Sequence, residues 1–320
     1  MLPERPPRLH TPGIVRGLAV CAGVLALFAA CGSGNSPAAP SASATGAPVT
    51  TGGVAGCEIT ATSDASPLTG DPKSPYYDAI GLARSADGAL AAGYGEALAH
   101  ASAPDATRLP GGGVGVYYHN GETGGAIWLA RLEGSALSPV AAITVDGVVR
   151  PRWMADPNVD LIDGRVRMTY LNGEGLRRFC IAESGDGIAF TTRALAIRFS
   201  GTEADPTVAR LSDGSWLMAY SRENHSSIGF ARSGDGLSFT AFATAGFGVV
   251  PELAALPDGR VRLYVCASGN VDAYLSADRG TTWQREATVI TNQTTGRTIV
   301  CDPSYLPSDG LFVFKVTDAR

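Results

Sequence analysis

Runs of four to six residues along this chain alternate apolar and polar, the spacing of strands with one buried face. Arg165-Val166-Arg167-Met168-Thr169-Tyr170 and Arg260-Val261-Arg262-Leu263-Tyr264-Val265 are clear cases. These strands recur inside a longer phrase: a proline at the start of a strand, an apolar run, a tight turn and a second strand. The phrase begins at Ala103-Pro104-Asp105, Asp156-Pro157-Asn158, Asp205-Pro206-Thr207, Val250-Pro251-Glu252 and Asp302-Pro303-Ser304. Its turns carry Gly111-Gly112, Asp163-Gly164, Asp213-Gly214, Asp258-Gly259 and Asp309-Gly310, which supply the positive φ angles of short hairpins. Tyr118, Tyr170 and Tyr220 fall at one position relative to these turns, as packing residues do.

Successive prolines are 53, 49, 45 and 52 residues apart. That is the period of four-stranded propeller blades, so the chain is expected to be all-β, a five-bladed β-propeller. The fifth unit ends after its inner hairpin, and an unassigned outer pair sits near the start. Ile80-Gly81-Leu82-Ala83-Arg84-Ser85-Ala86-Asp87-Gly88 matches Ile228-Gly229-Phe230-Ala231-Arg232-Ser233-Gly234-Asp235-Gly236 at seven of nine positions. Residues 76–93 are therefore expected to complete the last blade and remove the open edges of the ring.

Residues 1–30 read differently. A basic start at Arg5, Arg8 and Arg16 precedes the apolar run Gly17 to Ala30, too short to span a bilayer comfortably, which reads as an export signal. Residues 31–56 hold no aromatic residue and no charge, a composition that cannot bury enough apolar surface to order itself, so a flexible tether is expected. Residues 57–320 form the expected propeller domain. Three Arg and one Glu leave with the leader, so 25 basic and 30 acidic residues become 22 and 29. That acidic balance argues against nucleic acid as a partner. Nothing calls for a second subunit, and a monomer is expected.

With Cys21 in the leader, Cys57, Cys180, Cys266 and Cys301 remain for the domain once Cys31 is set aside, which permits two disulfides in three pairings. Cys266 ends one blade's second strand and Cys301 precedes the next blade's first strand, so those two are expected to meet; Cys57 and Cys180 are left over. The cysteine spacings do not suit zinc, with only His119 and His225 near. No cofactor is expected, and an ion in the channel is left open.

Three resemblances add to this. Leu27-Phe28-Ala29-Ala30-Cys31-Gly32 resembles a bacterial lipobox, which implies cleavage before Cys31, its lipidation, and anchoring on the extracytoplasmic side of the membrane. Ser184-Gly185-Asp186-Gly187-Ile188-Ala189-Phe190, Ser233-Gly234-Asp235-Gly236-Leu237-Ser238-Phe239 and Ser276-Ala277-Asp278-Arg279-Gly280-Thr281-Thr282-Trp283 resemble the Asp-box of sialidases and related propellers, where it is a turn device away from catalysis. The blade-start phrases resemble those of five-bladed glycosidases of the arabinanase and fructosidase type. Five blades suit that type better than the alternative, a six-bladed sialidase-like ring.

Acidic residues gather where the inner strands start. Asp156, Asp205 and Asp302 precede the proline; Asp105 and Glu252 follow it. Positions two apart on a strand face the same side, so all five carboxylates are expected to project together at one mouth of the channel. Glycosidases need one carboxylic acid and one carboxylate, whose roles separate when crowding splits their pKa values. Glu252 is the expected proton donor, Asp156 or Asp205 the nucleophile or base, and Asp105 a charge tuner. Arg152, Trp153, His119 and Arg222 are the expected substrate contacts. Asp before Pro is also ordinary turn chemistry, the stronger reading for Asp302. Two functions remain in view: a surface-tethered glycoside hydrolase, and a non-catalytic propeller binding a glycan, peptide or protein partner.

Overall fold

The computed structural model describes residues 53–61, 65–149, 151, 154–173 and 177–318. The leader, Cys31, Arg152 and Trp153 lie outside the described residues. No helix among the described residues is long and apolar enough to cross a membrane.

Strands β1 (Ala79–Arg84) and β2 (Ala92–Ala99) come first in the chain but belong to its last blade. Blade 1 is β3 (Ala101–Arg108), β4 (Val114–Asn120), β5 (Ile127–Glu133) and β6 (Ala136–Ala142). A hairpin of β7 (Thr144–Val145) and β8 (Val148–Val149) leads to blade 2: β9 (Met154–Ile162), β10 (Arg165–Asn172), β11 (Arg178–Ser184) and β12 (Ala189–Arg198). Blade 3 is β13 (Ala204–Arg210), β14 (Trp216–Arg222), β15 (Ser227–Ser233) and β16 (Thr240–Ala245). Blade 4 is β17 (Val249–Ala255), β18 (Val261–Ala267), β19 (Asn270–Ser276) and β20 (Gln284–Ile290). Blade 5 joins β21 (Ile299–Leu306) and β22 (Leu311–Thr317) to β1 and β2, in the order β21-β22-β1-β2. β1 pairs antiparallel with β22 from Ala79↔Val316 to Arg84↔Leu311, so the two ends of the chain share one sheet and close a five-bladed ring. Blade 2 departs from the four-strand pattern, because β7 adds to the outer edge of β12 in parallel and extends that sheet to six strands.

The core is divided among the blade interfaces. Five clusters of buried side chains each join two neighbouring blades; the one holding Ile80, Val116 and Val313 joins blade 5 to blade 1. Tyr118, Tyr170 and Tyr220 are all buried there. Burying each large side chain contributes about 1.5–3 kcal/mol, which makes the interfaces the main store of stability.

Every inner strand bulges at its proline. Ala103, Asp156, Asp205, Val250 and Asp302 adopt φ of 45°, 51°, 50°, 49° and 47°. At each, three residues of the inner strand span two of its partner, as between Ser102 and Asp105 or Val249 and Glu252. The extra residue breaks the two-residue alternation. Aspartate tolerates the left-handed region because its short polar side chain bonds locally. Val250 has no such relief, and a β-branched residue there is strained.

Two residues past each bulge, the inner strands are laced to one another. Asp105 Oδ2 accepts from the Val159 N–H, and Asn158 Oδ1 from Val208 N–H at 2.9 Å. Thr207 Oγ1 accepts from Leu253 N–H at 3.0 Å, Glu252 Oε1 from Tyr305 N–H at 3.4 Å, and Ser304 Oγ from Ala106 N–H at 3.1 Å. Each blade's side chain satisfies the next blade's backbone donor, and the fifth returns to the first. The channel-facing edge of an inner strand has no neighbouring strand in its own sheet to pair, so this belt supplies the missing acceptors.

Candidate functional site

The end of the channel where the inner strands begin opens into a cavity of about 880 Å³. Its wall includes the five bulge residues Ala103, Asp156, Asp205, Val250 and Asp302, with His119, Arg177, His225 and Lys315. Below it, a neck of about 40 Å³ leads past the prolines to the belt. The two levels follow from the bulge. Asp105 and Glu252 do not join the three aspartates on the cavity wall, because the added residue offsets positions that a regular strand would align. On the wall of the larger cavity three of the five expected carboxylates gather, while all five line the neck beneath it.

Those three differ in their surroundings. The Asp156 carboxylate accepts from the Asp205 N–H at 3.3 Å, while its own N–H donates to His119 Nε2 at 3.1 Å. Burial first, and then the neighbouring Asp205 charge, push the Asp156 carboxyl up to about 7. Asp205 Oδ2 lies 2.8 Å from His225 Nε2, and this contact holds the imidazole above its ordinary range. Asp302 Oδ2 lies 2.8 Å from Lys315 Nζ. Burial opposes the Lys315 charge, but Asp302 and the nearby Asp78 more than offset it and keep the amine protonated. The cavity thus holds a carboxyl whose burial favours its protonated form beside one that faces an imidazole.

His119 is fixed as a neutral tautomer. Its Nε2 accepts from Asp156, so Nδ1 carries the hydrogen and donates to the Gly125 carbonyl at 2.8 Å; burial keeps its pKa low. It orients the Asp156 backbone from the wall of the cavity. His225 arrives on a turn in which Glu223, Asn224 and His225 all have positive φ, at 51°, 54° and 61°. Three consecutive non-glycine residues in that region are costly, and such strain gathers at functional sites.

Of the other residues expected to bind substrate, Arg222 does not reach the mouth. It pairs with Glu223 at 3.0 Å and lines a separate outer groove with Phe199 and Phe242, because its strand ends facing the flank of blade 3. Arg152 and Trp153 lie outside the described residues. Glu252 is 7% exposed, with Oε2 accepting from the Thr207 hydroxyl at 2.8 Å and Oε1 from Tyr305; Asp105 is 5% exposed and bonded to Asn158 and Val159. Both carboxyls are raised, mainly by burial, Asp105 to about 7.

Lys315 and Arg177 are wall residues that the sequence pattern does not bring to the mouth; His225 follows Arg222 at the end of the strand that returns there. A signal existed for one of them: Lys315 is the sole charge in the apolar strand Leu311-Phe312-Val313-Phe314-Lys315-Val316. Cys266 and Cys301 form a disulfide beside Asp302, whose N–H donates to Cys266 Sγ at 3.2 Å; Cys57 and Cys180 form the other. The Cys266, Cys301 and Asp302 cluster offers no thiolate for a metal, since both sulfurs are bonded to each other.

No family model matches this chain, and no curated protein matches it. Solved structures do. A protein of unknown function from Dyadobacter fermentans matches at 15% identity over 77% of this chain and 85% of that one, with a TM-score of 0.53. A thermostable family-43 glycoside hydrolase matches at 12% identity over 67% and 83%, TM-score 0.53. An α-L-arabinofuranosidase from Clostridium thermocellum matches at 12% identity over 66% and 80%, TM-score 0.52. At such identities the likeness concerns the fold: a five-bladed β-propeller of the architecture that family-43 glycoside hydrolases use.

Proposed function

We propose that this chain is a glycoside hydrolase working at the mouth of its channel, with Asp156 as general acid and Asp205 as the carboxylate that assists departure of the sugar. The observation that carries this reading is the adjacency of two carboxyl groups in unlike surroundings, Asp156 buried against the Asp205 main chain and Asp205 held 2.8 Å from the His225 ring. Glycoside cleavage needs a proton delivered to the leaving oxygen and a negative group facing the developing positive charge on the sugar ring. Asp156, buried and protonated near pH 7, suits the first task. Asp205, 2.8 Å from His225 Nε2, suits the second. The Asp302–Lys315 pair holds a fixed charge across the cavity, and His119 fixes the Asp156 main chain. On this reading the proton donor is Asp156 rather than Glu252, whose oxygens are engaged in the belt. The neighbouring folds support the reading at the level of architecture.

A second reading, a non-catalytic mouth that binds a glycan or protein partner, draws on one observation: Asp205 and Asp302 each already have a cationic neighbour. Turnover separates the two. A panel of chromogenic glycosides is hydrolysed by the wild type and not by Asp156→Asn if the first reading holds; glycan binding without hydrolysis of any member favours the second. We further propose, from the leader and the Cys31 phrase, that the protein is exported and held to the membrane by a lipid on Cys31. Loss of membrane association in Cys31→Ala would support that anchor.

A further inference from the structure

Among the described residues that line the mouth, one cation has no carboxylate partner. Lys315 is paired with Asp302 at 2.8 Å and His225 with Asp205 at 2.8 Å. Arg177 lines the same cavity, half-buried, just before β11. Its Nη1 donates to the main-chain carbonyl of Glu203 at 3.4 Å, a long contact to a neutral acceptor. Among the described residues no carboxylate lies within ion-pair distance of it. A guanidinium turned toward a partly desolvated cavity without a counter-ion is an unmet demand for a planar anion.

From this arrangement we infer that the ligand is an acidic sugar, with the Arg177 guanidinium receiving its carboxylate. The inference rests on the reading of the mouth as a glycoside site. The three aspartates do not oppose it: Asp205 and Asp302 are neutralised by their partners, and Asp156 keeps its proton up to about pH 7. Among the described residues, Arg177 adds a positive charge to the mouth of a chain that is acidic as a whole. A uronate brings both groups the cavity needs, a carboxylate for the fork of Arg177 and ring hydroxyls for the carboxyls of the floor. A neutral sugar would leave the guanidinium desolvated without compensation, and the site would reject it on that account.

The test uses the full-length protein as parent and free sugars, which have no glycosidic bond to cleave, so that binding is read without turnover. Titration calorimetry at pH 6.5 and 50 mM salt compares D-galacturonate with D-galactose and D-glucuronate with D-glucose, free sugars that present both anomers. The acidic member of at least one pair should bind on the order of 10–100-fold more tightly. Raising salt to 500 mM should shrink that ratio. Adding Arg177→Gln should bring the ratio to within about threefold of unity, and Arg177→Lys, which keeps the charge and loses the fork, should give an intermediate value. Equal affinities within both pairs in the parent would overturn the inference and leave the glycoside reading standing. A preference that survives Arg177→Gln would remove Arg177 as its source. Failure of all four sugars to bind at millimolar concentration would overturn the inference alone, since turnover of the chromogenic glycosides decides the glycoside reading.

Discussion

The cavity wall and the belt beneath it are built from the same five tripeptides, yet they treat acidic side chains in opposite ways. Asp156, Asp205 and Asp302 stand one residue before proline, in the left-handed region, and line an open cavity. Asp105 and Glu252 stand one residue after it, almost fully buried, and accept hydrogen bonds from the next blade's backbone. Residue type does not distinguish the tiers; the partner does. In the belt the carboxyls replace Asn158, Thr207 and Ser304, uncharged residues that do the same task in the other blades. On the wall no such equivalence exists, because Ala103 and Val250 occupy two of the five positions. A tier in which five different acceptors serve one geometry is scaffold, and a tier in which three of five positions carry individually partnered acids is where chemistry can differ from blade to blade.

The largest expected effect sharpens that contrast. Asp156→Asn should lower kcat on a hydrolysed glycoside by roughly 10²–10⁴-fold with the fold intact, whereas Glu252→Gln should leave kcat within a few-fold. A large kcat loss from Glu252→Gln alone would return the proton donor to the belt. The reverse holds for stability. Asp105→Ala strips the acceptor from Val159 N–H and Asn158 Nδ2, and each buried donor left unpaired costs about 1–3 kcal/mol, so the urea midpoint should fall clearly. Asp205→Ala, on the wall beside the half-exposed His225, should do so much less.

The pH dependence follows from the raised carboxyls. Asp156 acts as an acid only while protonated, so activity should decline as pH rises through about 7. For stability, the folded Asp105 keeps its proton to about pH 7 while the unfolded chain releases it near 4. Folding then takes up a proton in between, and this residue's contribution weakens as pH climbs from about 4 to 7. Asp105→Asn removes that titration and should raise the Tm more at pH 8 than at pH 5. A gain equal at both values would show that the belt carboxyl is ionised in the fold. The smallest effect concerns the strain: Val250→Asn, a better tenant of φ 49°, should add about 0.5–1 kcal/mol, or a few degrees of Tm.

The sequence by itself determined the ring. The proline period, the glycine turns and the match between residues 80–88 and 228–236 depend on local alternation and repetition, so five blades and their closure between β1 and β22 could be read without coordinates. Only the tertiary structure decided which acids face the cavity. A bulge is one residue of backbone offset with no distinct composition, and Asp-Pro reads the same whether its aspartate is a turn residue or a site. The pairings were equally hidden: His225 and Lys315 lie 20 residues from Asp205 and 13 from Asp302 in the chain, and only the folded blades bring each within 2.8 Å of its aspartate. Short-range pattern specifies elements, while protonation state is set by neighbours that the chain supplies from elsewhere.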